Sequence, residues 1–308
     1  QSVTVIAPVP QTITGVSSLC FGATATFTAT TPGGTWSTNN PSVATVNASS
    51  GLVTGVSAGS ATVTYSVVTA GTCVNSATFA VTVLPAFNPG AISGGANATV
   101  CLNFDPSVLS ANATGGAGTY SYQWQASPAG CNSWANINGA NGATFDPPAV
   151  SATVCYRVLV DATGAPDCGN ALPSANTITF TLESTAPTIA CVANQTRNTN
   201  VGTCNYAVAG SEFQPAAFVD NCSRAAITYA LSGATTGTGN NLAGVVLGLG
   251  ITTVTWTVTD VVGLSATCAF TVTVVDAQAP NAICQPVTVQ LDNSGNGTLT
   301  AAQVNNGS

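Results

Sequence analysis

The sequence predicts an all-β protein built of several sandwich-like units in series, and three observations predict it. Thr, Val, Ala, Ser, Gly and Asn dominate the 308 residues, while the helix formers Lys, Met, Glu and Arg are absent or nearly so. Short alternating or β-branched runs bounded by Gly, Pro and Asn recur along the whole chain, the pattern of strands separated by turns. No stretch keeps a 3.6-residue apolar period for three turns, so nothing signals a long helix.

The runs come in order as Ala25–Thr30, Ala61–Val67, Ala77–Val83, Tyr120–Gln125, Thr153–Val160, Asn176–Leu182, Ala226–Leu231, Thr252–Thr259 and Cys268–Val275. Three of them end a unit with closely similar strands, ATFAVTVLP (77–85), ANTITFTLE (175–183) and ATCAFTVTVVD (266–276). Their spacing, roughly 95 residues, is the size of one immunoglobulin-type β-sandwich. APTIAC at 186–191 returns as APNAIC at 279–284, and a repeat at that period implies modules in series. The expected organisation is an N-terminal strand or leader at 1–10 and modules at 11–85, 86–183 and 184–276. Residues 277–308 are then an incomplete fourth module or a strand exchanged with a neighbour. The connectors are short and carry proline, which favours a stiff array.

Composition excludes much chemistry. Hydrophobic residues make up 45% and charged residues 4%, against roughly 25% charged in an ordinary soluble domain. There is no histidine, so no Ser-His or Cys-His nucleophile and no histidine-ligated metal. Three arginines, Arg157, Arg197 and Arg224, give no footprint for a nucleic acid. The longest nearly apolar stretch, Ala243 to Ile251, is about half what a helical membrane span needs. The net charge of −7 reflects missing bases more than abundant acids.

Eleven cysteines without a C-x2-C knuckle point to disulfides in an oxidising, extracellular setting and away from zinc. Each module holds an even number of them: Cys20 and Cys73; Cys101, Cys131, Cys155 and Cys168; Cys191, Cys204, Cys222 and Cys268. A cysteine before the first strand and one entering the last should be sheet neighbours. Four cysteines in a module allow three connectivities, and that argument favours 20–73, then 101–168 with 131–155, then 191–268 with 204–222. Cys284 is left over, to bond beyond Ser308 or to sit in a donated strand.

Gly33–Val67, with its W-S-x-x-x-P-S-V-A-T-V core, its G-x-V-x-G turn and its A-G-S-A-T-V-T strand, resembles the bacterial Ig-like group 2 (BIG2) module. TAPTIAC (185–191), VDNC (219–222), LGITTVTWTVTD (249–260) and ATCAFTVTVVD (266–276) resemble the HYR (hyalin repeat) module. The middle stretch is similar to Ig/PKD-like modules through 120–148 and 154–160. The resemblance implies tandem, disulfide-stapled immunoglobulin-like β-sandwiches, as in Bacteroidetes-type adhesins and gliding-motility filament proteins. It implies no enzyme and a place at the bacterial cell surface.

Site candidates are few. Ten scattered acids offer no facing pair for glycoside hydrolysis. Glu183, Asp220, Asp260 and Asp276 lie near module ends and are the candidates for calcium, although no D-x-D-x-D-G loop is present. Trp124, Trp134, Trp256 and Tyr122 are the candidates for a carbohydrate platform, with Trp124 and Trp256 better explained as core. Asn47, Asn97 and Asn112 head N-x-S/T sequons. Scarce charge removes a common guard against edge-to-edge strand pairing. The expected partners are therefore copies of the chain in a homopolymer, with surface glycans or a substratum as further ones. The expected function is a structural subunit of an extracellular filament, or alternatively the stalk of a large adhesin.

Overall fold

A computed structural model describes residues 10–69, 73–169 and 171–307, in two compact units of residues 1–183 and 184–308. The segment expected as an N-terminal strand or leader lies outside the described residues, Pro10 excepted. The fold is all-β; eight of the nine expected runs each coincide with most of one strand, while Ala25–Thr30 is divided between the short strands Thr24–Thr26 and Thr28–Ala29.

The first unit opens with β1 (Ile13–Thr14), β2 (Ser18–Cys20), β3 (Thr24–Thr26), β4 (Thr28–Ala29), β5 (Thr35–Thr38), β6 (Ala44–Val46), β7 (Leu52–Gly55), β8 (Gly59–Thr69) and β9 (Cys73–Leu84). A four-stranded sheet β2-β9-β8-β5 and a three-stranded sheet β3-β7-β6 share one core around Phe27, Trp36, Val53, Val63, Tyr65, Val81 and Val83. Alternation puts these side chains on the inner faces. Gly51 adopts φ +70°, and a Cβ there would stand 2.8 Å from the Trp36 ring and 2.5 Å from the Phe27 carbonyl oxygen. The turn of the G-x-V-x-G motif is thus what lets Trp36 pack.

The second sandwich contains β10 (Ala98–Val100), β11 (Leu109–Ser110), β12 (Tyr120–Pro128), β13 (Ala135–Asn136), β14 (Thr144–Phe145), β15 (Val154–Ala162), β16 (Leu172–Pro173) and β17 (Ile178–Leu182). Its main sheet runs β10-β17-β15-β12-β13, with β16 on β15, and β11 pairs with β14. Trp124 is fully buried, stacks on Phe145 and donates its indole N–H to the Gly142 carbonyl at 2.9 Å.

In the second unit, β18 (Thr188–Ala190), β19 (Gln195–Asn198), β20 (Asn205–Ala207), β21 (Ala217–Val219), β22 (Arg224–Gly233), β23 (Gly237–Gly239), β24 (Val246–Gly248), β25 (Gly250–Asp260) and β26 (Ser265–Val275) build a third sandwich. The sheet β19-β26-β25-β22-β23 packs over β18-β21 and β20-β24. Trp256, also fully buried, sits among Phe213, Tyr229, Leu242, Leu247 and Phe270. In all three sandwiches the first strand of the main sheet runs parallel to the last: β2 beside β9, β10 beside β17 and β19 beside β26. Beyond β26, none of residues 277–307 is buried. A bridge between Cys284 and Asn305 and one short helix, α1 (Ala301–Val304), organise that stretch.

The parallel registers explain which bridges form. Gln195 lies opposite Val272 in the β19–β26 ladder, and four residues further back Cys191 meets Cys268, to which it is bonded. Cys131–Cys155 also forms, because Ser127 faces Cys155 and Cys131 occupies the turn after β12. The expected 20–73 bridge does not form. Cys20 is opposite Leu84 at the end of β9, whereas Cys73 begins that strand about 36 Å away. The 101–168 bridge fails likewise. Cys101 follows β10 at the β17 exit, where Val154 pairs with Phe180, and Cys168 lies past Ala162 at the opposite end of β15. The 204–222 bridge is also absent, since Cys204 precedes β20 and Cys222 follows β21, strands of two different ladders. Cys101 and Cys222 are disulfide-bonded outside those expected pairs, while Cys204 and Cys284 carry free thiols.

The strands at the ends of the three main sheets, β2, β5, β10, β13, β19 and β23, are two to four residues long. These short strands cover only part of the long strands behind them, and β26 is paired on its β19 side only from Val272 to Val275.

Candidate functional site

Cys20 is bonded to Cys168, 148 residues away, with Cα atoms 5.3 Å apart. The bridge joins the first sandwich to the second. It forms because β2 runs beside the end of β9, so Cys20 stands where the chain leaves the first sandwich. The connector is held from the other side too. The Gly116 N–H donates to the Pro85 carbonyl at 2.9 Å, and Asn88 and Thr114 exchange two backbone hydrogen bonds. Gly115, at φ +78°, has no Cβ because one would lie 1.9 Å from the Ala86 oxygen. Phe87 stacks on Tyr120 with ring centroids 6.1 Å apart. A covalent bond, backbone pairing and an aromatic contact therefore fix one short hinge.

Two of the four calcium candidates lie far apart within the third sandwich. Asp260 ends β25 and Asp276 follows β26, and those antiparallel strands place them at opposite ends of the third sandwich, roughly 33 Å apart. Glu183 belongs to the other compact unit. Asp260 is 2% exposed, and its Oδ1 accepts the N–H groups of Val262, Gly263 and Leu264, which shapes the β25–β26 turn. Asp220 accepts from the Cys222 N–H and Asp276 from the Gln278 N–H, both as local turn formers. Among the described residues no three His, Cys, Asp or Glu side chains gather to hold a metal.

The aromatic candidates also separate. Trp124 and Trp256 are core, and Arg157 covers Trp134, its guanidinium 4.4 Å from the ring centroid. The sequon asparagines are structural. Asn47 caps the Ser49 and Ser50 N–H groups, Asn97 accepts from the Thr179 N–H, and the Asn112 Nδ2 donates to Ala91, Ser93 and Ser110.

The third sandwich carries two polar clusters that the sequence did not single out. In the first, Arg197 donates to Glu212 Oε2 at 3.0 and 3.1 Å, while Glu212 Oε1 accepts from the Tyr206 hydroxyl and the Ala209 N–H. This clamps β19 to the loop that delivers Phe213 to the core. Partial burial alone would raise the Glu212 pKa, but the Tyr206 hydroxyl, the Ala209 amide and Arg197 together hold it below the usual carboxylate range. A carboxylate depressed in the folded state stabilises it above the unfolded pKa, and that stability is lost as pH falls through the folded value. Thermal melts of Glu212→Gln should accordingly show a shallower loss of Tm than wild type between about pH 5 and pH 3.

The second cluster lines a cleft of about 680 Å³. Phe218 on β21, Arg224 at the start of β22, Gln214, Asn240 and Asn241 contribute to its walls, and Ile227 to its apolar side. The ladder between β22 and β25 shifts register between Arg224 and Ala226, a bulge of the kind that re-aims a side chain. The Arg224 guanidinium lies 4.6 Å from the centroid of the Phe218 ring. Three separate segments meet here, and one of only three arginines was the sole sequence signal.

Two family models agree with the resemblances: the bacterial Ig-like domain (group 2) over residues 2–81 and the HYR domain over residues 183–274. Residues 88–182, similar in sequence to Ig/PKD-like modules, match instead a domain of unknown function (DUF8696). No curated protein matches the chain. Solved structures similar to it include a Ca2+-stabilized adhesin that helps an Antarctic bacterium reach out and bind ice, at 16% identity over 87% of this chain and 74% of that one, with a TM-score of 0.39. Mouse cadherin-23 EC22-24 shares 15% identity over 87% and 99%, TM-score 0.29. Protocadherin gammaB7 EC3-6 shares 14% over 90% and 76%, TM-score 0.30. No helix among the described residues is long and apolar enough to cross a membrane.

Proposed function

Because the chain is a tandem of Ig-like modules of the surface-protein type, with a bacterial Ig-like group 2 domain and a HYR domain, we propose that it is a load-bearing subunit of an extracellular bacterial fibre. Its modules are 11–85, 86–183 and 184–276, with 277–308 the start of a fourth or a strand given to a neighbour. The observation that carries the reading is the Cys20–Cys168 bridge across the boundary between two sandwiches. A staple there keeps two beads from bending or parting under load. Electron microscopy of the secreted material tests this. Fibres with an axial repeat commensurate with a few modules are expected, and dispersed monomers would remove the filament. In that second case the same staple supports the stalk of a large surface adhesin.

A further inference from the structure

We propose that the cleft beside Phe218 and Arg224 binds an acidic saccharide, its carboxylate on Arg224 and its ring hydroxyls on the surrounding amides. The charge inventory comes first. Arg157 donates to Gln125 and stacks on Trp134, and Arg197 is spent on Glu212. Among the described residues Arg224 alone of the three makes neither a side-chain hydrogen bond nor an ion pair; Asp260, its cross-strand partner, forms no such pair with it. Among the described residues it is thus the one arginine whose guanidinium donors are all unspent, in a chain of net charge −7.

The guanidinium is also oriented. Stacking on Phe218 fixes its plane, and the bulge after Arg224 sets its direction, so its fork of donors is presented with little freedom left to lose. The amides decide what kind of anion fits. Asn241 Oδ1 accepts from Gln214 Nε2 and from the Ala243 N–H, both at 3.0 Å. That leaves the Asn241 Nδ2, the Gln214 Oε1 and the whole Asn240 amide unused among the described residues. Such a set of unspent donors and acceptors matches vicinal hydroxyls, whereas an acidic peptide would bring mainly carboxylates. Phe218, 37% exposed, and Ile227 give the C–H face of a sugar ring something apolar to rest on. The volume suits a short oligosaccharide segment.

The test uses the full chain and linear tetragalacturonate, read by NMR on the arginine Nε–H signals, of which three arginines give three. One of them, the one missing in Arg224→Gln, should shift saturably. Affinity should fall about 10- to 100-fold in that variant, the value of a charge-assisted pair, and recover in part with Arg224→Lys. Asn240→Ala should weaken binding without altering the melting temperature. The neutral methyl-esterified tetramer should bind at least about tenfold more weakly. Absence of a saturable shift, or an unchanged affinity in Arg224→Gln, would overturn the site. Equal binding of hexaglutamate would overturn the saccharide. None of these outcomes bears on whether fibres form, so this proposal and the fibre reading fail separately.

Discussion

Serine at both Cys20 and Cys168 is expected to destabilise the first unit by up to about 5 kcal/mol, the chain-entropy estimate for a closed loop of this length. The loop encloses most of both sandwiches, so unfolding either one with the bridge intact leaves the other tethered at both ends. What remains at the hinge without it is a few backbone hydrogen bonds and the Phe87–Tyr120 stack. At about 1 kcal/mol for each hydrogen bond, these are too weak to make two cores melt as one. Scanning calorimetry should show a single transition for this unit in the wild type and two in the double variant. One unchanged transition would mean that the staple couples nothing, and the load-bearing reading would lose its main support.

Trp256→Ala should cost about 3–5 kcal/mol and abolish cooperative melting of the third sandwich. Trp256 is fully buried, and its ring meets Tyr229 edge-on at 5.4 Å. Its indole N–H also donates at 3.0 Å to the Phe213 carbonyl, in the loop that closes the core. Truncation therefore opens a cavity and leaves a buried acceptor unsatisfied. Trp256→Phe separates the two effects, since it keeps most of the packing and loses only the donor, at an expected cost of about 1–3 kcal/mol. Trp134→Ala is the control. Its ring packs against Arg157 away from the core clusters, so its effect should stay within about 1 kcal/mol. Chemical denaturation of the three variants checks the order, and equal losses at positions 134 and 256 would contradict this account of the core.

The strands, and the core roles of Trp124 and Trp256, were legible because both are written locally. Thr255, Trp256 and Thr257 alternate between faces whatever the rest of the chain does. The Cys191–Cys268 bridge was legible for a related reason, since the parallel pairing of first and last strands sets its register. The same rule misled at Cys20, where the register runs to Leu84 and leaves Cys73 at the far end of β9. Asp260 and Asp276 are sixteen positions apart in sequence, yet a hairpin sends them to opposite ends of the sandwich. Arg224 and Phe218 carried no motif at all, and only the packing of β21 against the start of β22 made them one site.

From the sequence alone came the class of fold, the succession of sandwiches, the core roles of Trp124 and Trp256 and the exclusion of histidine-dependent chemistry. These depend on side-chain period and composition, which act over a few residues. The tertiary structure decided which cysteines meet, that one bridge joins two sandwiches, and which arginine is left facing a cleft. Those outcomes depend on ladder register, where moving a strand by one residue displaces every contact along it, and residues far apart in the chain set that register together.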